Sequence, residues 1–294
     1  MRVVFIFNEY ALHSQVLATW ATSRPRDHVG LVKVPLVLKG KSRGETAKRI
    51  VPALSRRFLW GKIVEFLVLL LIVIGKRGRR GWFQRLRWHA RDHDWAFHKS
   101  TDVMSEETLD FIRKQRPDVV ITLFHQIVKP ELIAIPRHGV INIHPGVLPD
   151  FRGIQPYFWT LSEGAERFGA SLHLIEDATI DTGGILGLAT QPVIPGMSVQ
   201  LTYYLTMGLA TRLLLECVEP WVQRETTPWP QDSGAGAYYK WPDSAAFDRL
   251  KARGHCLLSW RQLWRIIRGH YGRDFAEMEM EVVSRVSLPG AEGS

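Results

Sequence analysis

DVVITLFHQIVKPELIAIPRHGVINIH, residues 118–144, decides the fold. It contains two short apolar runs, DVVITLF at 118–124 and GVINIH at 139–144. Both are rich in β-branched residues, and each reads as a buried central strand. Upstream, RVVFIF at 2–7 has the same texture, and HVGLVKVPLVL at 28–38 supplies another strand candidate. Helices fit between them. Asn8 is placed to cap one that runs to about Thr22, and SEETLDFIRKQ opens another with Ser105 as N-cap. Strands alternating with helices predict an α/β fold around a mostly parallel, doubly wound sheet.

The texture changes after residue 145. ASLHLIED at 170–177 and GGILGLATQPV at 183–193 read as two strands joined by a Thr/Asp/Gly turn. Ser198 can cap a long helix, VQLTYYLTMGLATRLLLECVEPW. Residues 225–236 are rich in Pro, Gly and Ser and suit a linker. Helix-like runs follow near 243–252 and 259–269, with several Trp, and the tail after about Leu288 is expected to fray. The expected organisation is a catalytic domain over 1–222, carrying an insertion at 41–99, and a small, mainly helical, Trp-rich C-terminal extension over 223–294.

With 294 residues and 46% hydrophobic residues, the chain can bury a sizeable core. Its two cysteines, Cys217 and Cys256, are too few for a disulfide framework and offer no metal-ligand spacing. They suit a reducing, cytoplasmic compartment. The opening MRVVFIFNEY turns polar after seven residues and reads as a strand, not as a secretory signal.

The net charge of +9 is concentrated. Residues 41–99 hold 15 Lys and Arg against 4 Asp and Glu, whereas the remainder is slightly acidic. Within that segment, KIVEFLVLLLIVIG at 62–75 is apolar but shorter than the roughly 20 residues a bilayer span needs. Arg56, Arg57, Lys76, Arg77, Arg79 and Arg80 flank it, and Trp82, Trp88 and Trp95 follow among further arginines. One reading lays residues 56–95 on an anionic membrane face. Another buries 62–75 as a core helix ahead of a solvated basic loop. Contact with RNA through the Arg/Trp mixture is a third, with no RNA-binding motif beside it, so nucleic acid is not favoured.

The chemistry lies in INIHPGVLPDFRG, 141–153, and IDTGGI, 180–185. Asn142 and His144 are two apart at a strand end and share a face. Pro145, Pro149 and Gly153 force an irregular loop at the carboxyl edge of the sheet, where open α/β sheets bind ligands. Asp181 sits in a glycine-bounded turn that could bring a carboxylate there. An amide donor, an imidazole and a carboxylate suit acyl transfer to an amine: Asn142 for a developing oxyanion, His144 for charge and proton shuttling, Asp181 to hold the imidazolium and raise its pKa. No Ser or Cys nucleophile is required.

The pattern N-x-H-P-x-x-L-P followed by D-x-G-x-I resembles the folate-dependent formyltransferases, a family that includes glycinamide ribonucleotide, methionyl-tRNA and nucleotide-sugar formyltransferases. The resemblance covers about residues 118–195 and, more loosely, the chain from residue 1. It implies a Rossmann-like domain, N10-formyltetrahydrofolate as donor, and Asn142, His144 and Asp181 as the catalytic trio. It further implies a pterin pocket made by the segment that holds Phe124, Gln126, Ile127 and Val128 and by the turn Ala178, Thr179, Ile180. No metal is implied.

Departures from the family pattern bear on the acceptor. The loop Asn8-Glu-Tyr-Ala-Leu-His-Ser14 has no glycine, so neither a dinucleotide fingerprint nor the phosphate loop of the glycinamide ribonucleotide enzymes is present. The C-terminal part does not read as the five alternating strands of an OB domain, which counts against tRNA. Gly146, Arg152-Gly153, Phe158-Trp159 and Tyr238-Tyr-Lys-Trp-Pro242 look more like the amino-sugar branch. The expected acceptor is therefore an amino sugar or related small amine, anionic if nucleotide- or lipid-linked. A tRNA acceptor and a non-catalytic, membrane-associated scaffold are the alternatives.

Overall fold

Strand β1 (Arg2–Asn8) explains the layering. Its side chains are buried on both faces: Val3, Phe5 and Phe7 enter one core cluster, Val4 and Ile6 the other. A strand apolar in both directions needs helices on both sides. The computed structural model describes residues 1–8, 10–35, 41, 43–51, 56, 58–61, 63–64, 86–232, 234–268 and 281–283.

After β1 come α1 (Ala11–Ser23), β2 (His28–Val34), α2 (Arg43–Ile50), α3 (Leu86–Asp92), β3 (Ala96–Lys99), α4 (Glu106–Gln115), β4 (Val119–Leu123), a short α5 (Pro130–Ile133) and β5 (Gly139–His144). Then follow β6 (Phe151–Gly153), α6 (Pro156–Glu163), β7 (Arg167–Ile175), β8 (Ile185–Pro192), α7 (Val199–Val222), β9 (Ala237–Tyr239), α8 (Ser244–Ala252), α9 (Trp260–Arg268) and β10 (Glu281–Val283). The main sheet has the order β10-β8-β7-β5-β4-β1-β2-β3. Its β3-β2-β1-β4-β5 portion is parallel, while β7, β8 and β10 join antiparallel. Chain direction reverses outward from β1, so the carboxyl ends of β1 and β4 form a switch point, where such sheets open a crevice.

Leu12, Val16, Leu17 and Trp20 of α1, with buried residues of α7, cover one face of the sheet. Leu109 and Ile112 of α4 cover the other, together with Val103 and Leu132. The doubly wound reading of the sequence holds.

Several local expectations change. Asn8 does not cap α1; it completes β1, paired with Val34, and Tyr10 takes the cap position without a side-chain bond. The strand expected over 28–38 is described to Val34, and residues 36–40 lie outside the described set. The 170–177 and 183–193 strands are β7 and β8, shifted by a few residues at their ends. Ser198 does cap the long helix, its Oγ accepting from the Leu201 N–H at 3.2 Å. The C-terminal part holds the two expected helices and, in addition, two short strands, β9 and β10, that pair with β6 and β8.

Of the apolar stretch 62–75 only residues 63 and 64 are described, and residues 65–85 of the basic segment lie outside the described set. Among the described residues, no helix is long and apolar enough to cross a membrane.

Candidate active site

Asn142 and His144 emerge together from the carboxyl end of β5, as their two-residue spacing requires. Asp181 arrives from the β7–β8 loop, which is tied shut at its base. The Gly184 N–H donates to Glu176 Oε2 at 2.9 Å, and Asp177 Oδ1 accepts from the Thr179 N–H at 2.7 Å and from the Thr179 hydroxyl. Gly183 has no alternative here, because a Cβ would stand 2.0 Å from the Leu174 carbonyl oxygen. Asp181 itself is held at φ 56, the left-handed region that Asp tolerates better than most residues. Its Oδ2 accepts from the Gly153 N–H at 2.8 Å, locking the β7–β8 loop to the proline loop after β5.

Two imidazoles flank this carboxylate. His144 Nδ1 is 3.5 Å from Asp181 Oδ2, and His173 Nε2 is 3.5 Å from Asp181 Oδ1. His144 Nε2 lies 2.6 Å from the Phe151 carbonyl, which can only accept, so Nε2 carries the proton and Nδ1 is the nitrogen open to gain one. By the same logic His173 donates from Nδ1 to the Leu174 carbonyl at 2.9 Å. Its Nε2 then accepts from Asn142 Nδ2 at 3.0 Å, while Asn142 Oδ1 accepts from the Thr122 hydroxyl at 2.9 Å. The Asn142 amide is thereby fixed, with one Nδ2–H to spare.

Burial sets the electrostatics. It pushes the His144 imidazole below its ordinary value, and the pull of Asp181 offsets only part of that. Asp181 does raise the His144 pKa, as the sequence suggests, but burial outweighs it and the net shift is downward. Burial would also push the Asp181 carboxyl up, but His144, His173 and the Gly153 N–H outweigh it and hold the group well below the usual carboxylate range. An ionised carboxylate beside a neutral imidazole is the resting arrangement at neutral pH.

These groups sit in a cleft of about 510 Å³ at the switch point. All the residues singled out from the sequence border it: Asn142, His144, Asp181, Phe124, Gln126, Ile127, Val128, Ala178, Thr179 and Ile180. Their side chains are not equivalent. Ile127 and Ile180 are exposed, whereas Val128 is buried in the second core cluster. Gln126 turns its side chain outward, accepting from the Val103 N–H at 3.0 Å and donating to the Thr101 carbonyl at 2.8 Å, so it anchors the 101–103 turn.

Residues that the sequence did not mark as site residues also line the cleft: Asn8, His13, His125, Gln155, Tyr157, Tyr203, Tyr238 and Trp241, with His173 beside Asn142 and Asp181. His13 bridges the Asn8 carbonyl and the Tyr203 hydroxyl, each at 2.9 Å, and burial pushes its pKa down to about 4. The Tyr157 and Tyr203 rings lie 4.3 Å apart. No described residue lining this cleft is Lys or Arg. The signal for His173 was a lone histidine in an apolar strand; only the β5–β7 register, pairing it with Asn142, gives it meaning.

Strand β9 braces the proline loop. It pairs with β6, the Tyr239 carbonyl accepts from the Ile154 N–H at 2.9 Å, and the Tyr239 ring stacks on Trp159 at 4.7 Å. Gly146 is needed where the loop meets α6, since a Cβ would stand 2.4 Å from the Pro156 Cβ and 3.1 Å from His144 Nε2.

Residues 79–217 match the family model described as Formyl transferase. A methionyl-tRNA formyltransferase of Microcystis aeruginosa is 31% identical over 169 residues, 56% of this chain and 49% of that protein. The chain spans about half the length of the curated relatives it matches or less. A phosphoribosylglycinamide formyltransferase from Anaplasma phagocytophilum shares the fold at TM-score 0.53 and 14% identity, over 81% of this chain and 96% of that one. An N-formyltransferase from Helicobacter canadensis, solved with folinic acid and dTDP-3-aminofucose, does so at TM-score 0.53 and 14% identity, over 86% and 81% respectively.

Proposed function

We propose, from the premise that residues 79–217 belong to the formyl transferase family, that this chain moves a formyl group from N10-formyltetrahydrofolate to a primary amine. The observation that carries the reading is one corner of the cleft, where Asn142, His144 and Asp181 converge with His173 and the Gly153 N–H.

The roles follow from the hydrogen bonds. The acceptor amine attacks the formyl carbon and the carbonyl oxygen becomes an oxyanion. The spare Nδ2–H of Asn142 donates to it, the kind of fixed donor that typically contributes 10²–10³ in rate. The attacking nitrogen loses its proton to His144 Nδ1. Asp181, ionised and 3.5 Å away, stabilises the imidazolium. The bond from carbon to N10 then breaks, the electron pair goes to N10, and the imidazolium returns its proton there. His144 ends neutral, as it began. The exposed side chains of Ile127 and Ile180 offer apolar contact to the flat pterin, with backbone groups of 124–128 and 178–180 to read its edge.

For the acceptor, the exposed aromatic rings at the cleft support an amino sugar. Tyr238 and Trp241 are exposed and can stack on a pyranose ring, and Gln155, whose Oε1 accepts from the Tyr157 hydroxyl, offers its amide N–H to the sugar hydroxyls. If the sugar carries a phosphate, its charge meets groups beyond this described lining. A tRNA acceptor is the second reading, supported by the names of the relatives. Transfer assays with amino-sugar nucleotides, with methionyl-tRNA and with no acceptor separate these. Formylated sugar supports the proposal, formylated methionyl-tRNA selects the second reading, and formate alone overturns both.

A further inference from the structure

Helix α9, WRQLWRIIR, is anchored by one face only. Leu263 and Ile266 are buried, and Ile266 joins the main core. Gln262 accepts from the Ser198 N–H at 2.9 Å and donates to the Gly196 carbonyl at 2.9 Å. With that face fixed, the helix cannot roll, and its other face is held outward. That face carries Trp260 and Trp264, one turn apart and 65% and 55% exposed, and the exposed Arg261, Arg265 and Arg268. The Arg268 guanidinium lies over the Trp264 ring at 5.1 Å. The helix has no acidic residue.

A second apolar projection adjoins it. Gly61 packs so closely on Leu257 that a Cβ would stand 2.4 Å from its side chain, which brings residues 58–61 beside the approach to α9. There Trp60 and Ile63, three apart and so on one helical face, are 67% and 41% exposed. The same stretch reaches the cleft: the Phe58 ring lies 5.6 Å from Trp241, and Phe58, Gly61 and Leu257 share a groove with Gln155 and Tyr157.

We infer that the outward face of α9, with Trp60 and Ile63 beside it, docks this chain on an anionic phospholipid bilayer, next to the Trp241 end of the cleft. Fixed outward tryptophans flanked by arginines are the composition of an interfacial membrane contact: indole rings sit at the headgroup level and guanidinium groups meet phosphates. RNA would also accept Arg and Trp, but an exposed aliphatic side chain such as Ile63 adds nothing to base stacking and does add to burial in lipid. The inference does not depend on the formyl-transfer reading, and its test does not use activity.

The test is flotation of the full chain with vesicles of equimolar phosphatidylcholine and phosphatidylglycerol, against vesicles of phosphatidylcholine alone. The wild type is expected to float with the first and not the second. R261Q/R268Q should lose about fivefold in affinity per arginine, on the order of thirty-fold together. W260S/W264S should also lose binding, and both variants should keep the wild-type circular dichroism because the anchoring face is untouched. No flotation of the wild type, or equal flotation of wild type and both variants, overturns the inference. So does retention on tRNA that the same variants lose while vesicles fail to compete for it.

Discussion

Replacing Asp181 by Asn removes a charge and little else. The amide keeps an oxygen to accept from the Gly153 N–H, now at 2.8 Å, so the two loops stay joined. What disappears is the attraction between the carboxylate and the imidazolium formed on His144, 3.5 Å away. At an effective dielectric of about 20, that attraction is roughly 5 kcal/mol, or about three to four orders of magnitude in rate. Because the interaction strengthens when His144 gains its proton, the loss should fall on kcat with KM little changed. The assay is single-turnover release of tetrahydrofolate from N10-formyltetrahydrofolate in the presence of acceptor. Thermal unfolding and binding of 5-formyltetrahydrofolate serve as controls for the fold. A D181N enzyme within tenfold of wild type, with the controls intact, refutes the argument: the carboxylate would then be a turn-former and not a partner of the imidazolium.

Three further outcomes follow from the geometry. Gly146→Ala places a methyl 2.4 Å from the Pro156 Cβ and 3.1 Å from His144 Nε2. It should cost roughly 1–3 kcal/mol in urea unfolding and reduce turnover, and an unchanged midpoint contradicts the packing described. Tyr239→Ala removes the ring stacked at 4.7 Å on Trp159 under the proline loop, so stability should fall by about 2–3 kcal/mol and turnover with it. Burial holds His13 and His89 at about 4, against an ordinary 6.5. The folded state therefore binds fewer protons than the unfolded one across that window, stability is full above pH 6.5, and acidification toward 4 removes up to about 3 kcal/mol per ring. Both ring nitrogens of His89 are without a hydrogen-bond partner among the described residues, so His89→Phe should flatten the pH dependence of the unfolding midpoint without loss at pH 7. An unflattened slope rejects His89 as a contributor.

The sheet was legible because β1 and β4 are apolar runs buried on both faces, and β5 is one too apart from Asn142 and His144 on a single face. Ser198 was legible as a cap because its hydroxyl acts within three residues. Asn8 was misread for the opposite reason: pairing with Val34 keeps it in the strand, and a long-range partner overrode a local propensity. β9 and β10 are three residues each and exist only through their partners β6 and β8, so nothing local announces them. The candidate site divides the same way. Asn142 and His144 declare themselves by spacing on one strand, whereas His173 joins Asn142 through an antiparallel register, and Tyr157 and Tyr203 meet only once α6 and α7 are packed. The direction of the His144 shift was also out of reach, since it depends on how far burial outweighs the neighbouring carboxylate.

The central claim is that Asn142 and His144 transfer a formyl group to an amine. The most direct measurement follows an isotopically labelled formyl group from N10-formyltetrahydrofolate into products, by mass spectrometry, with a panel of amino-sugar nucleotides. Wild type is expected to yield labelled formamide, and N142A and H144A that still bind folate to lose it by about a hundredfold or more. Labelled formamide at undiminished rate in H144A, or label appearing only as formate with every amine, contradicts it.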